Sequence, residues 1–169
     1  YENKSNKNQI FTYVLGDSEE KAKMAVRGES ISVTSIDEVN FLKHNITLLG
    51  SAIPATKAEM RNAALNNLPY GIRIMTTPDI TTKHGRAMED LIENKFINWE
   101  HEYFDMTKDE LDKKVRENSD ITGFDIFVVE YDYDELGYGD EWLHDSRLNI
   151  TKEQFKSEVL LMREAGSSL

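Results

Sequence analysis

The chain contains no cysteine, which excludes disulfide bonds and thiolate metal sites and is typical of a reducing compartment. No apolar run approaches the roughly 20 residues that a membrane-spanning helix requires, and the polar residues 1–8 lack the apolar segment of a secretory signal. Basic residues are scarce, since 20 Lys and Arg stand against 31 Asp and Glu, for a formal net charge of −11. This charge argues against a broad basic face that grips nucleic-acid phosphates.

The remaining composition is typical of a globular protein, and 169 residues suffice for a single domain or part-domain with its own core. The acidic charge leaves two broad classes open. One is a protein whose nucleotide site is local enough to be insensitive to the net charge. The other is a protein whose acidic surface imitates DNA.

Strand-like and helix-like patterns alternate along the chain, which predicts an α/β fold with a largely parallel sheet. Segments rich in β-branched and aromatic residues are the predicted strands, at 9–15, 31–38, 72–77 and 124–129, with 96–104 also extended. Ser or Thr caps open most of the predicted helices, which cover 18–26 (ended by Arg27-Gly28), 56–67, the region of 88–92, and segments starting at 107 and 151. We divide the chain into a core, residues 8–122, and a closing part, residues 123–169, which contains an acidic, aromatic loop at 130–141.

The most informative stretch is residues 31–41, where a short strand ends in two adjacent carboxylates, Asp37 and Glu38. Ligands of open α/β sheets bind outside the carboxyl ends of the strands. A carboxylate pair at that position suits nucleotide hydrolysis, with Asp37 holding Mg²⁺ through its water shell and Glu38 polarising the attacking water. The same pattern also fits a solvated strand end with no chemical role.

Several features together resemble one family, the large terminase subunit of tailed viruses, which is the ATPase that drives DNA into a preformed capsid. The resemblance covers nearly the whole chain, from about residue 8 to 166, and its specificity lies in the order and spacing of the motifs. The four matching segments are residues 25–30 (Ala-Val-Arg-Gly-Glu-Ser), the Walker B-like 35–41 (Ser-Ile-Asp-Glu-Val-Asn-Phe), the coupling-motif-like 72–78 (Ile-Arg-Ile-Met-Thr-Thr-Pro), and 141–158 with Trp142, Arg147, Ile150, Phe155 and Glu158.

The resemblance implies a P-loop NTPase-like (ASCE-type) sheet with flanking helices and a role for each matched residue. Asp37 would coordinate Mg²⁺, Glu38 would be the catalytic carboxylate, and Arg27 would be placed to orient the site. Thr76 and Thr77 would form the coupling motif that senses the γ-phosphate of ATP, with Thr77 and Asp37 on the cofactor side. Hydroxyls at a strand end beside the Walker B strand suit this role, because a bond to the phosphate exists only before hydrolysis.

One departure from the family pattern is decisive for activity, because the chain has no Gly-x-x-x-x-Gly-Lys-[Ser/Thr] motif and no Gly-Lys pair. That Walker A loop supplies most of the grip on the β- and γ-phosphates. We therefore expect an incomplete P-loop domain that binds Mg²⁺ and ATP only in the complete domain and is inactive alone. The implied partners are a Walker A-containing part of the same ATPase, the portal, the small terminase subunit and double-stranded DNA, with no membrane, in the cytoplasm of the host cell.

Two other functions stay open on the sequence alone. The first is a non-enzymatic DNA mimic that blocks a DNA-binding enzyme, which the net charge favours. The second is a degenerate P-loop domain retained as a scaffold or regulator. Other motifs are weaker: residues 130–137 lack the glycine and closing glutamate of a calcium loop, His101-Glu102 lacks the second histidine of a zinc motif, and His84-Gly85-Arg86 is expected to be a plain helix start.

Overall fold

The structure is a computed structural model that describes residues 2, 9–12, 18–25 and 31–163. It is a mixed α/β arrangement of helices and short parallel strands, which confirms the predicted class at this level. The elements in chain order are α1 (Glu19–Met24), β1 (Val33–Asp37), α2 (Asn45–Leu65), β2 (Gly71–Met75), α3 (Lys83–Asn94), β3 (Ile97–Asn98), α4 (Lys108–Thr122), β4 (Phe127–Val128), α5 (Asp140–Ser146) and α6 (Lys152–Gln154), with 3₁₀ helices at Val39–Phe41 and His101–Asp105 and a π-helix at Phe155–Val159.

The chain forms two compact units, each discontinuous in sequence. The first comprises Tyr1–Asp37 and Leu42–Met75, and the second comprises Glu38–Phe41 and Thr76–Leu169. Each unit contains one parallel sheet of two strands, β1–β2 in the first and β3–β4 in the second. The expectation of one larger parallel sheet is therefore not met within the described residues. The predicted division into 8–122 and 123–169 stays a prediction.

In the first unit, α1 and α2 pack together through small and apolar side chains. Ser18 caps α1 as predicted, because its side chain accepts a hydrogen bond from the backbone N–H of Lys21. Ser51 on α2 donates to the backbone carbonyl of Ala22 on α1 at 3.1 Å. The buried core of this unit includes Leu48 and Leu49 of α2.

Helix α2 differs from the prediction, because it begins well before Thr56 and continues through Pro54. Thr56 is not a cap: it is fully buried, and its hydroxyl donates to the carbonyl of Ala52 at 3.0 Å. A proline inside a helix costs about 3 kcal/mol. Burial of Leu48 and Leu49 in the first half of the helix contributes about 1.5–3 kcal/mol for each side chain, which offsets that cost.

In the second unit, packed aromatic rings accompany very short strands. β3 and β4 pair in parallel with Ile97 opposite Phe127, and the ring of Trp99 makes edge contacts with Tyr103, Phe104 and Phe127. The predicted strand at 124–129 is therefore paired only at Phe127–Val128. The predicted extended segment at 96–104 is instead β3 followed by a 3₁₀ helix, because its aromatic side chains pack on one another rather than alternate across a sheet.

Local capping chemistry predicted two helix starts correctly in this unit. Thr107 and Glu110 form a capping box that opens α4, and Thr151 and Gln154 form one that opens α6. Residues 130–139 contain neither helix nor strand, as predicted for the acidic loop, and the rings of Tyr133 and Tyr138 stack on Trp142 of α5.

Some predictions fall partly outside the described residues. Of the predicted strand at 9–15, Gln9 forms an isolated antiparallel bridge with Glu2, residues 10–12 have no regular structure, and 13–15 are not described. The predicted helix end at Arg27-Gly28 also lies outside the described part. Among the helices that are described, none combines the length and apolar character needed to cross a membrane.

Candidate functional site

The candidate site begins at the carboxyl ends of β1 and β2. The two strands run parallel and in register from Val33 opposite Gly71 to Asp37 opposite Met75, so they end level with each other. The carboxylate pair, Asp37 and Glu38, comes at the end of one strand, and the threonine pair at 76–77 follows directly after the other in sequence. The sequence predicted this co-directional arrangement of neighbouring strands, and the register confirms it.

Glu38 has an uncommon backbone conformation for a residue with a side chain. Its φ is 51°, in the left-handed region, and its carbonyl accepts a hydrogen bond from the N–H of Phe41 at 3.0 Å, which closes the 3₁₀ helix that follows. Left-handed backbone costs a non-glycine residue roughly 1–2 kcal/mol and recurs at functional sites. The chain thus turns sharply at the proposed catalytic carboxylate, and both Asp37 and Glu38 are exposed.

Asn40 is the central hydrogen-bonding residue of the second unit, and it is fully buried. Its backbone N–H donates to the hydroxyl of Thr76 at 3.1 Å, and its side-chain Nδ2 donates to the carbonyl of Thr77 at 2.9 Å. The same Nδ2 also donates to Oε1 of Glu89 on α3. The segment after β1 is therefore joined through one residue, by its backbone N–H to Thr76 and by its side chain to Thr77 and to a buried carboxylate.

The two threonines differ in how their hydroxyl groups are used. The Thr76 hydroxyl accepts from the N–H of Asn40 and donates to the carbonyl of Thr77 at 3.1 Å, so its proton is already committed. Among the residues that the structure describes, the Thr77 hydroxyl has no hydrogen-bond partner. Of the two, Thr77 is the residue with a hydroxyl available to a ligand.

Asp79 organises the turn between the threonines and α3. Its Oδ1 accepts from the N–H of Thr81 at 2.8 Å and from the Thr81 hydroxyl at 2.6 Å, and its Oδ2 accepts from the Thr82 hydroxyl. Burial acts to raise the pKa of Asp79, but these hydrogen bonds outweigh it and hold the pKa below its ordinary value. Thr82 in turn caps α3 by accepting from the N–H of Gly85.

The segment His84-Gly85-Arg86 is a helix start, as predicted, and lies in the first turn of α3. Arg86 Nη1 donates to the carbonyl of Ile80 at 2.8 Å, so this guanidinium supports the turn. A Cβ on Gly85 would lie 2.1 Å from the carbonyl oxygen of Asp79, which explains why a glycine stands there.

Arg163 pairs with three carboxylates in the second unit. Its Nε lies 2.6 Å from Oε2 of Glu89 and 3.7 Å from Oε1 of Glu93, and its Nη1 and Nη2 both donate to Glu130. A cavity of about 230 Å³ lies beside this cluster, lined partly by Trp99. Sequence reasoning missed this cluster and Asn40, because their members are far apart in the chain.

The described residues contain no group of three or more His, Asp or Glu side chains that could hold a metal ion. Magnesium is usually held by one or two carboxylates together with waters and substrate phosphates. An exposed Asp37 at a strand end fits that mode of binding. Arg27, the remaining residue of the predicted site, lies outside the described residues.

A scan against protein-family models, a search of curated proteins and a search of solved structures each find no significant match to this chain. Any assignment of function therefore depends on the order of the motifs and on the geometry of the two strand ends.

Proposed function

We propose that this chain is part of the ATPase motor of a viral large terminase, which hydrolyses ATP to move double-stranded DNA into a capsid. The observation that carries the proposal is the register of β1 with β2. These neighbouring parallel strands end level with each other, the carboxylate pair stands at the end of β1 in sequence, and the threonine pair follows directly after β2. Ligands of α/β sheets bind outside the carboxyl ends of such strands.

In this proposal Asp37 and Glu38 divide the work of hydrolysis. Asp37 is the protein ligand for Mg²⁺, and Glu38 orients and polarises the water that attacks the γ-phosphate. Bound Mg²⁺–ATP supplies the bond to be cleaved and the positive charge that neutralises the phosphates. The exposure of both carboxylates suits residues that meet a ligand from solvent.

The threonines fit the coupling role in different ways. Thr77, whose hydroxyl has no partner among the described residues, is the donor to a phosphate oxygen or to the polarised water. Thr76 is the structural member, because its hydroxyl holds the N–H of Asn40. A bond from Thr77 to the γ-phosphate exists only before hydrolysis, so its loss reports the state of the nucleotide.

The phosphates need a further grip that these residues do not supply. The chain has no Gly-Lys pair, and two carboxylates facing a polyphosphate repel it. The proposal therefore requires a partner that carries the Walker A motif. The portal, the small terminase subunit and double-stranded DNA meet the complete motor, in the cytoplasm of the host cell.

The test is to mix this chain with a Gly-x-x-x-x-Gly-Lys-[Ser/Thr] protein encoded beside it and to measure ATP turnover. We expect turnover from the mixture only, and a loss of at least about 100-fold with Glu38→Gln, since removal of a single catalytic group typically costs that much. Glu20→Gln, a change at an exposed glutamate of α1, is the matched control and should leave turnover unchanged. Absence of turnover would overturn the proposal and favour the scaffold function. Equal turnover with Glu38→Gln would also overturn the proposal.

A further inference from the structure

Glu89 is an unusual residue for the interior of the second unit, because its carboxylate is almost completely buried, with the residue 5% exposed. An ionised carboxylate is costly to bury unless it is paired and hydrogen-bonded. Both of its oxygens are used: Oε1 accepts from Asn40 Nδ2, and Oε2 accepts from Arg163 Nε at 2.6 Å. Glu89 therefore links Arg163 directly to Asn40.

The partners of Asn40 dictate which way its side-chain amide faces. Nδ2 points at two acceptors, the Glu89 carboxylate and the Thr77 carbonyl. A flipped amide would place Oδ1 against those two acceptors, which repel it. Within the described part of the chain Oδ1 has no hydrogen-bond partner, so nothing on the opposite side of the amide fixes this orientation. Glu89 and Thr77 hold it alone.

We propose that Glu89 and Arg163 are positioning residues for the threonine pair and act on it through Asn40. Arg163 pairs with Glu89 and orients it, Glu89 holds the Asn40 amide, and Asn40 fixes the Thr76 hydroxyl and the Thr77 carbonyl. The catalytic consequence rests on the proposed function, while the physical linkage does not require a nucleotide.

The position of Arg163 determines what its removal would change. Arg163 follows the π-helix and is held by residues of two other segments, Glu89 and Glu93 on α3 and Glu130 after β4. Removal of the Arg163 guanidinium takes away the hydrogen-bond partner of Glu89 Oε2. Glu89 is then no longer held against the Asn40 amide, and the threonines lose their fixed spacing from the segment after β1.

The first experiment measures hydrogen exchange at the Asn40 backbone amide, which donates to Thr76, by NMR on the whole chain. We expect Arg163→Gln to lower its protection at least about tenfold while amides of α4 change less than twofold. Arg163→Lys, which keeps a cation beside Glu89, should restore protection to within about threefold of the original. Arg116→Gln, at an exposed arginine of α4, is the matched control and should have no effect.

Unchanged protection at Asn40 in folded Arg163→Gln, or equal loss in Arg163→Lys and Arg163→Gln, overturns the proposal. If Arg163→Gln does not fold, Glu130→Ala decides, because Glu130 is partly exposed and holds the far side of the same guanidinium. The proposal then requires at least a threefold loss of protection at Asn40, and no loss overturns it.

The second experiment uses the ATP-hydrolysing mixture. A positioning role predicts that Arg163→Gln lowers kcat at least tenfold with less than a twofold change in the KM for ATP, and that Arg163→Lys recovers most of the loss. Equal effects on kcat and KM overturn the catalytic consequence. The two proposals can fail separately. If Arg163→Gln lowers protection at Asn40 but the mixture never hydrolyses ATP, the motor assignment is wrong and the linkage through Asn40 still stands.

Discussion

The two sheets of this protein use the same parallel pairing but are stabilised in different ways. β1 and β2 pair over five residues each, and much of their surface is exposed or half-exposed. β3 and β4 pair over only two residues each, and the rings of Trp99, Tyr103 and Phe127 pack beside them. Backbone pairing therefore defines the first sheet, whereas aromatic burial defines the second. The carboxylate pair and the threonine pair stand at the ends of the first sheet, whose strands are held together less by side-chain packing than those of the second.

The largest expected effect comes from removing the central ring of the second sheet. Trp99→Ala should lower the free energy of unfolding by about 3 kcal/mol, because it leaves a cavity among three aromatic partners. The chain offers a matched control in its other tryptophan. Trp142→Ala should cost under about 1 kcal/mol, since Trp142 stacks on an exposed loop. Urea denaturation followed by far-UV circular dichroism measures both, and equal losses would contradict the contrast.

A glycine in each unit sharpens the comparison further. Gly85→Ala should destabilise the protein by about 2 kcal/mol, because the new Cβ would clash with the carbonyl of Asp79 and must displace it. Gly50→Ala in α2 should instead stabilise by about 0.5–1 kcal/mol, since nothing lies within 4 Å of the new Cβ. Thermal denaturation should move in opposite directions for the two variants, and a shift of the same sign would refute the steric argument.

The left-handed turn after β1 allows structural and chemical roles to be separated at one position. Glu38→Gly should be more stable than Glu38→Ala by about 1 kcal/mol, because glycine adopts positive φ without a steric penalty. Both substitutions remove the carboxylate, so neither should support ATP turnover in the mixture. Equal stability of the two variants would mean that the turn is not strained.

The smallest expected effect is the contribution of Asp79 to the loss of stability at acidic pH. The pKa of Asp79 is lowered in the folded state, so its ionised form stabilises the protein above the unfolded pKa of about 4, and this contribution is lost as the pH falls toward the folded value. Asp79→Asn should remove this pH-dependent component, because an amide does not ionise in this range. Urea denaturation at pH 3 and pH 7 gives the free energy of unfolding at each pH. The difference between the two values should be smaller in the variant than in the original protein.

The parts of the fold that were predictable from sequence depend on neighbouring residues. Ser18, Thr107 and Thr151 were recognised as caps because a cap needs only the first turn of its own helix. The parallel, neighbouring arrangement of β1 and β2 followed from two short strand patterns and the order of the motifs. The predicted start of helix α2 at Thr56 is wrong, because the helix continues through Pro54. The side-chain burial that stabilises its first half is a tertiary effect, which local sequence does not show.

The network at Asn40 was not predictable for the same physical reason. Its bond to Glu89 spans 49 positions, and the bond from Arg163 to Glu89 spans 74. Neither contact leaves a local pattern in the sequence. An asparagine two residues after the carboxylate pair reads as an ordinary loop residue until its partners are known.

Because Asn40 uses its main chain for Thr76 and its side chain for Thr77, the two loops that meet there cannot drift independently. A displacement of one loop must either carry the other along or break a hydrogen bond in the protein interior. Such a cross-brace makes the two loops move together for as long as both hydrogen bonds are intact.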